Sequence, residues 1–192
     1  MSARQTAASQ SDWIIFRMKR VQDSLRRRTL LKQAVALIGS AGSVLGLGGC
    51  GRRDPAPDAQ FVRLDGSAAT VSQQRGKVLL VNFWATSCAT CVAEMPGLVE
   101  THRRFNARGY ETLAVAMSYD PPAYVSNFAQ RRELPFWVAI DHTGAIARAF
   151  GDIRLTPTTF LIDKRGQVVK RYVGAPDFDA LNKLIESLLA EA

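Results

Sequence analysis

The sequence predicts an α/β fold in which a central mixed β-sheet is flanked by helices. Val78–Trp84 is a short apolar run rich in β-branched and aromatic residues, which is typical of a buried strand. From residue 91 to residue 105, apolar residues recur at the spacing of an amphipathic helix. A buried strand that leads directly into such a helix is typical of α/β proteins, and the segments that follow continue the alternation.

The other elements follow in the same alternating order. Residues Asp120, Pro121 and Pro122 are expected to cap and open a helix that runs to about residue 131, because proline is tolerated in a first helical turn. A closing amphipathic helix is predicted at 178–189 and a short helix at 145–150. Further strands are predicted at 61–64, 111–117, 136–139, 158–162 and 167–173, the last two as a hairpin.

The positive charge of the chain is confined to its N-terminal segment. Residues 1–53 contain 10 Lys and Arg against 2 Asp and Glu, whereas residues 54–192 contain 15 of each. The net charge of +8 therefore belongs to the first 53 residues, as in a targeting signal. Nothing in this distribution supports binding to nucleic acid, and no nucleic-acid partner is expected.

The N-terminal segment resembles an export signal of the twin-arginine, lipoprotein type. Residues 26–32 carry the paired arginines, and the apolar stretch at 34–49 is too short and glycine-rich to favour spanning a bilayer. It ends in Leu-Gly-Gly-Cys, which resembles the site where a bacterial lipoprotein is cleaved and its cysteine, here Cys50, is lipidated. We expect an export signal at 1–49, the lipidated cysteine and a linker at 50–57, and one domain at 58–192. An uncleaved signal anchor and a soluble periplasmic protein are the alternatives, and Met18 is a second candidate start.

Two cysteines lie at the junction between the predicted strand and the following helix. Cys88 and Cys91 stand at positions i and i+3 of a first helical turn, where Cβ atoms approach to about 5–6 Å and a disulfide can close. The helix N-terminus favours the thiolate of Cys88, and the thiolate is the nucleophile. A zinc site would need further ligands, which the two distant histidines do not supply at ligand spacing. A purely structural disulfide would stabilise little, because it closes a very short loop. The pattern therefore favours redox chemistry.

Two segments carry a family resemblance. Residues 81–96 look like the active-site segment of the TlpA/ResA-like branch of the thioredoxin superfamily, and residues 155–163 resemble that family's cis-proline loop and the strand after it. The resemblance extends from about residue 58 to residue 192 and implies a thioredoxin-like fold with thiol-disulfide exchange. Ser87 and the pair Ala89-Thr90 depart from common family residues, so the reduction potential is not implied.

The resemblance also implies catalytic roles for individual residues. Cys88 would form a mixed disulfide with the substrate, and Cys91 would resolve it. Asn82 occupies the position where thioredoxins place a buried acid. Proton transfer at Cys91 would therefore fall to Glu94, three residues further along the same helical face.

A substrate-binding role is implied for three more residues. The bond before Pro157 is expected to be cis, which turns the Thr156 backbone toward the cysteine pair, where it can pair with an extended substrate. Trp84 is either a core aromatic or a residue that shields the cysteine pair, and we expect it beside the site. No metal or other cofactor is expected.

The function expected from these observations is a membrane-tethered protein thiol:disulfide oxidoreductase in the bacterial cell envelope, facing the periplasm. The resemblance favours a reductant of envelope protein disulfides, for instance in cytochrome c maturation, that is itself re-reduced by a membrane electron carrier. The oxidising direction stays open, because C-x-x-C proteins differ widely in potential. A peroxiredoxin-like peroxidase is an alternative, but its usual motif would require proline at position 81 and threonine at position 85, where this chain has Val81 and Ala85. A copper-binding assembly protein is a second alternative, but it would require a C-x-x-x-C spacing and a partner histidine before the late strand, and this sequence has neither.

Overall fold

The computed structural model describes residues 53–191. These residues form seven strands and four α-helices in a largely alternating order, with two short 3-10 turns at 72–74 and 106–108. The elements are β1 (Gln60–Val62), β2 (Ala68–Thr70), β3 (Val78–Trp84), α1 (Ala89–Phe105), β4 (Tyr110–Ala116), α2 (Pro122–Arg131), β5 (Trp137–Ile140), α3 (Ala145–Ala149), β6 (Thr158–Ile162), β7 (Val168–Val173) and α4 (Phe178–Ala190).

The central sheet is mixed and has five strands in the order β5-β4-β3-β6-β7. Strands β3, β4 and β5 are parallel, whereas β6 runs antiparallel to β3 and to β7. The carboxyl ends of β3 and β4 therefore lie at the same edge, with Trp84 opposite Ala116. Strand β6 begins at this edge, because Thr158 pairs with Phe83. The loops after β3 and β4 and the loop before β6 consequently meet there.

Both faces of the central sheet are covered. The side chains of β3 show this, since they alternate between two buried clusters. One cluster contains Leu79, Val81 and Phe83 with residues of β1 and α3. The other contains Val78, Leu80 and Trp84 with residues of α1, α2 and α4. A strand buried on both faces has a continuous apolar sequence, which is what residues 78–84 show. The structure confirms the predicted α/β class, with the central mixed sheet flanked by helices.

The structure differs from the sequence expectations at the start of the domain. The described part of the predicted linker, residues 53–57, lies in part along the sheet. The Val168 N–H donates to the Asp54 carbonyl at 2.8 Å, and the Ala56 N–H donates to the Gly166 carbonyl at 2.9 Å. Pro55 forms one isolated β-bridge next to β7, at the edge of the sheet, where the N–H that proline lacks is not needed for strand pairing. The three-residue strand β2 was not predicted, because Ala-Ala-Thr shows no apolar alternation.

Within residues 53–191, no helix is long and apolar enough to cross a membrane. The predicted export signal and Cys50 lie outside the described residues, as does the start of the predicted linker.

Candidate active site

The two cysteines occupy the junction between β3 and α1, as the sequence predicts. Cys88 is the N-cap residue of α1, and its backbone is extended there. Its Sγ accepts a hydrogen bond from the Cys91 N–H at 3.2 Å. A sulfur in this position satisfies one of the unpaired N–H groups of the first turn and lies at the positive end of the helix dipole. Both effects favour the thiolate once the bond between the cysteines is reduced.

Cys88 and Cys91 form a disulfide in this structure, with Cα atoms 5.2 Å apart. The two sulfurs differ in access, because Cys91 is fully buried while Cys88 is only half-buried. An external thiolate can therefore approach the Sγ of Cys88 but not that of Cys91. The arrangement assigns the outer position to Cys88 and the inner position to Cys91.

The loop before β6 faces the disulfide. The Thr156–Pro157 peptide bond is cis, as the family resemblance implied. The Thr156 carbonyl oxygen lies 3.6 Å from the Cys88 Sγ. This is a van der Waals contact in the disulfide, since a disulfide sulfur carries no proton, and it suits a weak hydrogen bond from a Cys88 thiol. Within residues 53–191, neither the N–H nor the C=O of Thr156 takes part in a backbone hydrogen bond. Both groups are thus available to a substrate, and the carbonyl lies beside the half-buried Cys88 sulfur.

Glu94 lies on α1 one turn after Cys91 and is 3% exposed. Its Oε1 accepts a hydrogen bond from the Asn82 Nδ2 at 2.8 Å, and the same Nδ2 donates to the Thr159 Oγ1 at 2.9 Å. Burial raises the pKa of the Glu94 carboxyl from 4.5 to about 7, although the hydrogen bond from Asn82 acts in the opposite direction. A carboxyl of this pKa can accept and release a proton near neutral pH.

The structure does not support the prediction that Trp84 contacts the substrate. Trp84 is 0% exposed and packs on Phe128 of α2, with the ring centroids 5.1 Å apart. The reason is its position at the end of β3, where its side chain points to the sheet face covered by α1 and α2. We therefore assign Trp84 to the core beneath the site.

Two exposed side chains beside the cis-proline loop were missed by sequence reasoning. Tyr119 is 60% exposed, and its hydroxyl lies 3.5 Å from the Thr156 Oγ1. Leu155 directly precedes Thr156 and is 65% exposed. Large apolar side chains that stay in solvent next to a reactive disulfide can contact a polypeptide substrate. The only signal in the sequence was their position in loops that follow or precede central strands.

Asp120 differs from its sequence expectation. It was expected to cap α2, but Pro121 is the N-cap residue and makes no side-chain cap. The Asp120 carboxylate instead accepts hydrogen bonds from the backbone N–H and the hydroxyl of Thr86, in the loop before Cys88. Because α2 begins with Pro122 and its N-cap is Pro121, Asp120 lies one residue before the position from which a side chain caps a helix.

Comparison with known proteins agrees with this geometry. The Redoxin family profile matches residues 52–185. A thiol-disulfide oxidoreductase ResA of Geobacillus thermodenitrificans is 36% identical over 133 residues, which cover 69% of this chain and 75% of that protein. A thioredoxin-like protein of Neisseria meningitidis, solved in solution, superimposes with a TM-score of 0.68 at 35% identity and covers 73% of this chain and 93% of its own. An exposed lipoprotein thioredoxin of Streptococcus pneumoniae superimposes with a TM-score of 0.60 at 26% identity. The match covers 68% of this chain and 99% of that protein's chain.

Proposed function

The chain belongs to the Redoxin family and is a thiol-disulfide oxidoreductase with a thioredoxin-like fold, and we propose that it reduces disulfides of proteins in the bacterial envelope while tethered to the membrane through a lipid on Cys50. The single observation that carries the choice of a protein substrate is the pairing of a half-buried Cys88 with the free backbone groups of Thr156. An extended polypeptide can add to those groups as a strand does, which brings its own cysteine to Cys88.

The proposed reaction transfers two electrons from the dithiol to the substrate. The Cys88 thiolate attacks one sulfur of the substrate disulfide, and the other substrate sulfur leaves as a thiolate that takes a proton. Cys91, as a thiolate, then attacks the Cys88 Sγ, which forms the Cys88–Cys91 disulfide and releases the first substrate sulfur as a thiolate that is protonated. The protein ends in the oxidised form seen here, and a membrane electron carrier would return it to the dithiol.

Glu94 is proposed to take the proton from Cys91. Its carboxyl follows Cys91 by one helical turn, and a pKa of about 7 lets it accept a proton at neutral pH. Replacement of Glu94 by Gln should slow the resolution of a preformed mixed disulfide and leave the alkylation of Cys88 nearly unchanged. Equal slowing of both steps would place Glu94 in general support of the site and contradict this role.

The lipid anchor is proposed from the sequence Leu-Gly-Gly-Cys at 47–50, and the lipoprotein relative of Streptococcus pneumoniae supports it. The paired arginines at 26–28 support export through the twin-arginine route. Intact-mass measurement of the membrane-associated protein should show residues 1–49 removed and Cys50 carrying lipid. An unmodified Cys50 would refute the anchor without affecting the thiol chemistry.

A cysteine-trapping experiment tests both the protein substrate and the direction. The Cys91→Ala variant lacks the resolving thiol, so it should accumulate mixed disulfides with envelope proteins, whereas Cys88→Ala should accumulate few because Cys91 is buried. Captured cytochrome-maturation or reductant-pathway proteins would support reduction. Capture of many newly secreted proteins would instead indicate oxidation. If Cys91→Ala captured no protein under conditions in which a control oxidoreductase forms mixed disulfides, the proposal of a protein substrate would be refuted.

A further inference from the structure

The loop between β4 and α2 contains a buried carboxylate that the reaction scheme above does not use. Asp120 is 3% exposed, and its Oδ2 accepts the Thr86 N–H at 2.6 Å while its Oδ1 accepts the Thr86 hydroxyl at 2.5 Å. A carboxylate loses hydration when it is buried, and charge-assisted hydrogen bonds of this kind offset the loss. Both bonds go to one residue, which stands two positions before Cys88.

The same loop contacts each of the segments that surround the disulfide. The Met117 N–H donates to the Trp84 carbonyl at 3.0 Å, and Tyr119 lies against Thr156. Asp120 adds the side-chain bonds to Thr86. Residues 117–120 therefore connect the end of β3, the cysteine loop and the cis-proline loop, none of which is adjacent to them in the chain.

We infer that Asp120 is a positioning residue for Cys88 in the reduced protein. While the disulfide is closed, Cys91 holds the Cys88 sulfur covalently. Once the disulfide opens, that restraint is gone, and the hydrogen bond from the Cys91 N–H survives only if the Cys88 backbone stays in its N-cap position. The bonds between Asp120 and Thr86 do not involve either sulfur, so they persist in both redox states and hold the loop in place.

The sign of the effect follows from this placement. Loosening the loop weakens the hydrogen bond and the helix-dipole interaction that favour the Cys88 thiolate, so the Cys88 thiol becomes less acidic. The dithiol form is then less stable relative to the disulfide, and the reduction potential becomes more negative. The inference rests on the thiol chemistry and is independent of the protein substrate and of the direction of the reaction in the cell.

The test compares four variants of the full chain. Asp120→Asn weakens the carboxylate bonds, Thr86→Val removes only the hydroxyl bond, and Thr86→Ser retains both donors. Asp141→Asn is the matched control, because Asp141 is also a buried carboxylate that accepts two backbone N–H bonds, from Ile146 at 3.1 Å and from Ala147 at 2.8 Å. The rate of Cys88 alkylation by iodoacetamide is followed against pH on the Cys88 peptide by mass spectrometry, and the reduction potential is measured against glutathione.

Asp120→Asn and Thr86→Val should each lower the alkylation rate at neutral pH by about threefold or more, which corresponds to an upward shift of about half a pH unit in the titration midpoint. Both should have a more negative potential. Thr86→Ser should match the parent, and Asp141→Asn should lose only thermal stability. The inference is wrong if Asp120→Asn keeps the parent midpoint and potential. If Asp120→Asn does not fold, equal midpoints for Thr86→Val and Thr86→Ser overturn it.

Discussion

Replacing Glu94 by Gln should remove a pH dependence from the stability of the oxidised protein. Burial raises the pKa of this carboxyl to about 7 in the folded chain, against an ordinary value of 4.5. Between these two pH values the unfolded chain has released the proton while the folded chain still holds it. The unfolded state then binds fewer protons, so the free energy of unfolding falls as the pH rises through this range and is constant above it.

The size of this effect follows from the difference between the two pKa values. One pKa unit corresponds to about 1.4 kcal/mol, so the shift from 4.5 to about 7 corresponds to about 3 kcal/mol. Nearly all of it should develop between about pH 4 and pH 8. Glutamine is neutral throughout and close in size, and its amide oxygen can still accept the hydrogen bond from Asn82.

The assay is urea denaturation of the oxidised parent and of Glu94→Gln at several pH values. Neither Cys88 nor Cys91 titrates in the disulfide. Burial also shifts the pKa of His102 downward and that of Glu111 upward, but these shifts are common to both proteins and cancel in the difference. The stability of the variant relative to the parent should increase by about 3 kcal/mol from pH 4 to pH 8. A difference that stays constant over this range would refute the raised pKa of the Glu94 carboxyl.

Three further predictions concern side chains near the site and the contact between α1 and α4. Tyr119→Ala should lower kcat/KM for a disulfide-containing polypeptide about three- to tenfold and leave iodoacetamide alkylation of Cys88 unchanged, because the contact of the exposed Tyr119 is with Thr156. A loss of both would indicate a structural role. Gly97→Ala should lower the free energy of unfolding by about 1–3 kcal/mol despite the better helix propensity of alanine, since an added Cβ would come within 2.6 Å of the Phe178 ring. Denaturation should also show that a second change, Phe178→Leu, recovers part of this loss. Trp84→Phe should lower the free energy of unfolding by about 1–2 kcal/mol and leave the KM for the polypeptide within twofold, because the indole is buried; a large rise in KM would restore a substrate contact for Trp84.

Much of the fold and the centre of the site could be predicted from the sequence, because the signals that carry them are local. Residues 78–84 are continuously apolar because the strand is covered on both faces, and the helical period after Cys91 follows from the single covered face of α1. The place of Cys88 at a helix start depends only on where that period begins. The cis bond at Pro157 followed from the resemblance of residues 155–163 to a known loop, since periodicity carries no information on peptide isomers.

Other features were decided only by the tertiary structure, because they join residues that the strand order brings together. The parallel pairing of β3 with β4 places the loop that contains Asp120 beside Thr86, 34 residues earlier in the chain, and this contact replaced the helix cap that local rules favour. The aromatic side chain of Trp84, close in sequence to the cysteine pair, suggested a site residue. The face of β3 on which this side chain lies is covered by α2, which buries it. The type of a residue and the spacing of its neighbours indicate which kinds of partner it can bind. The packing of segments that are distant in the chain determines which of these partners it contacts.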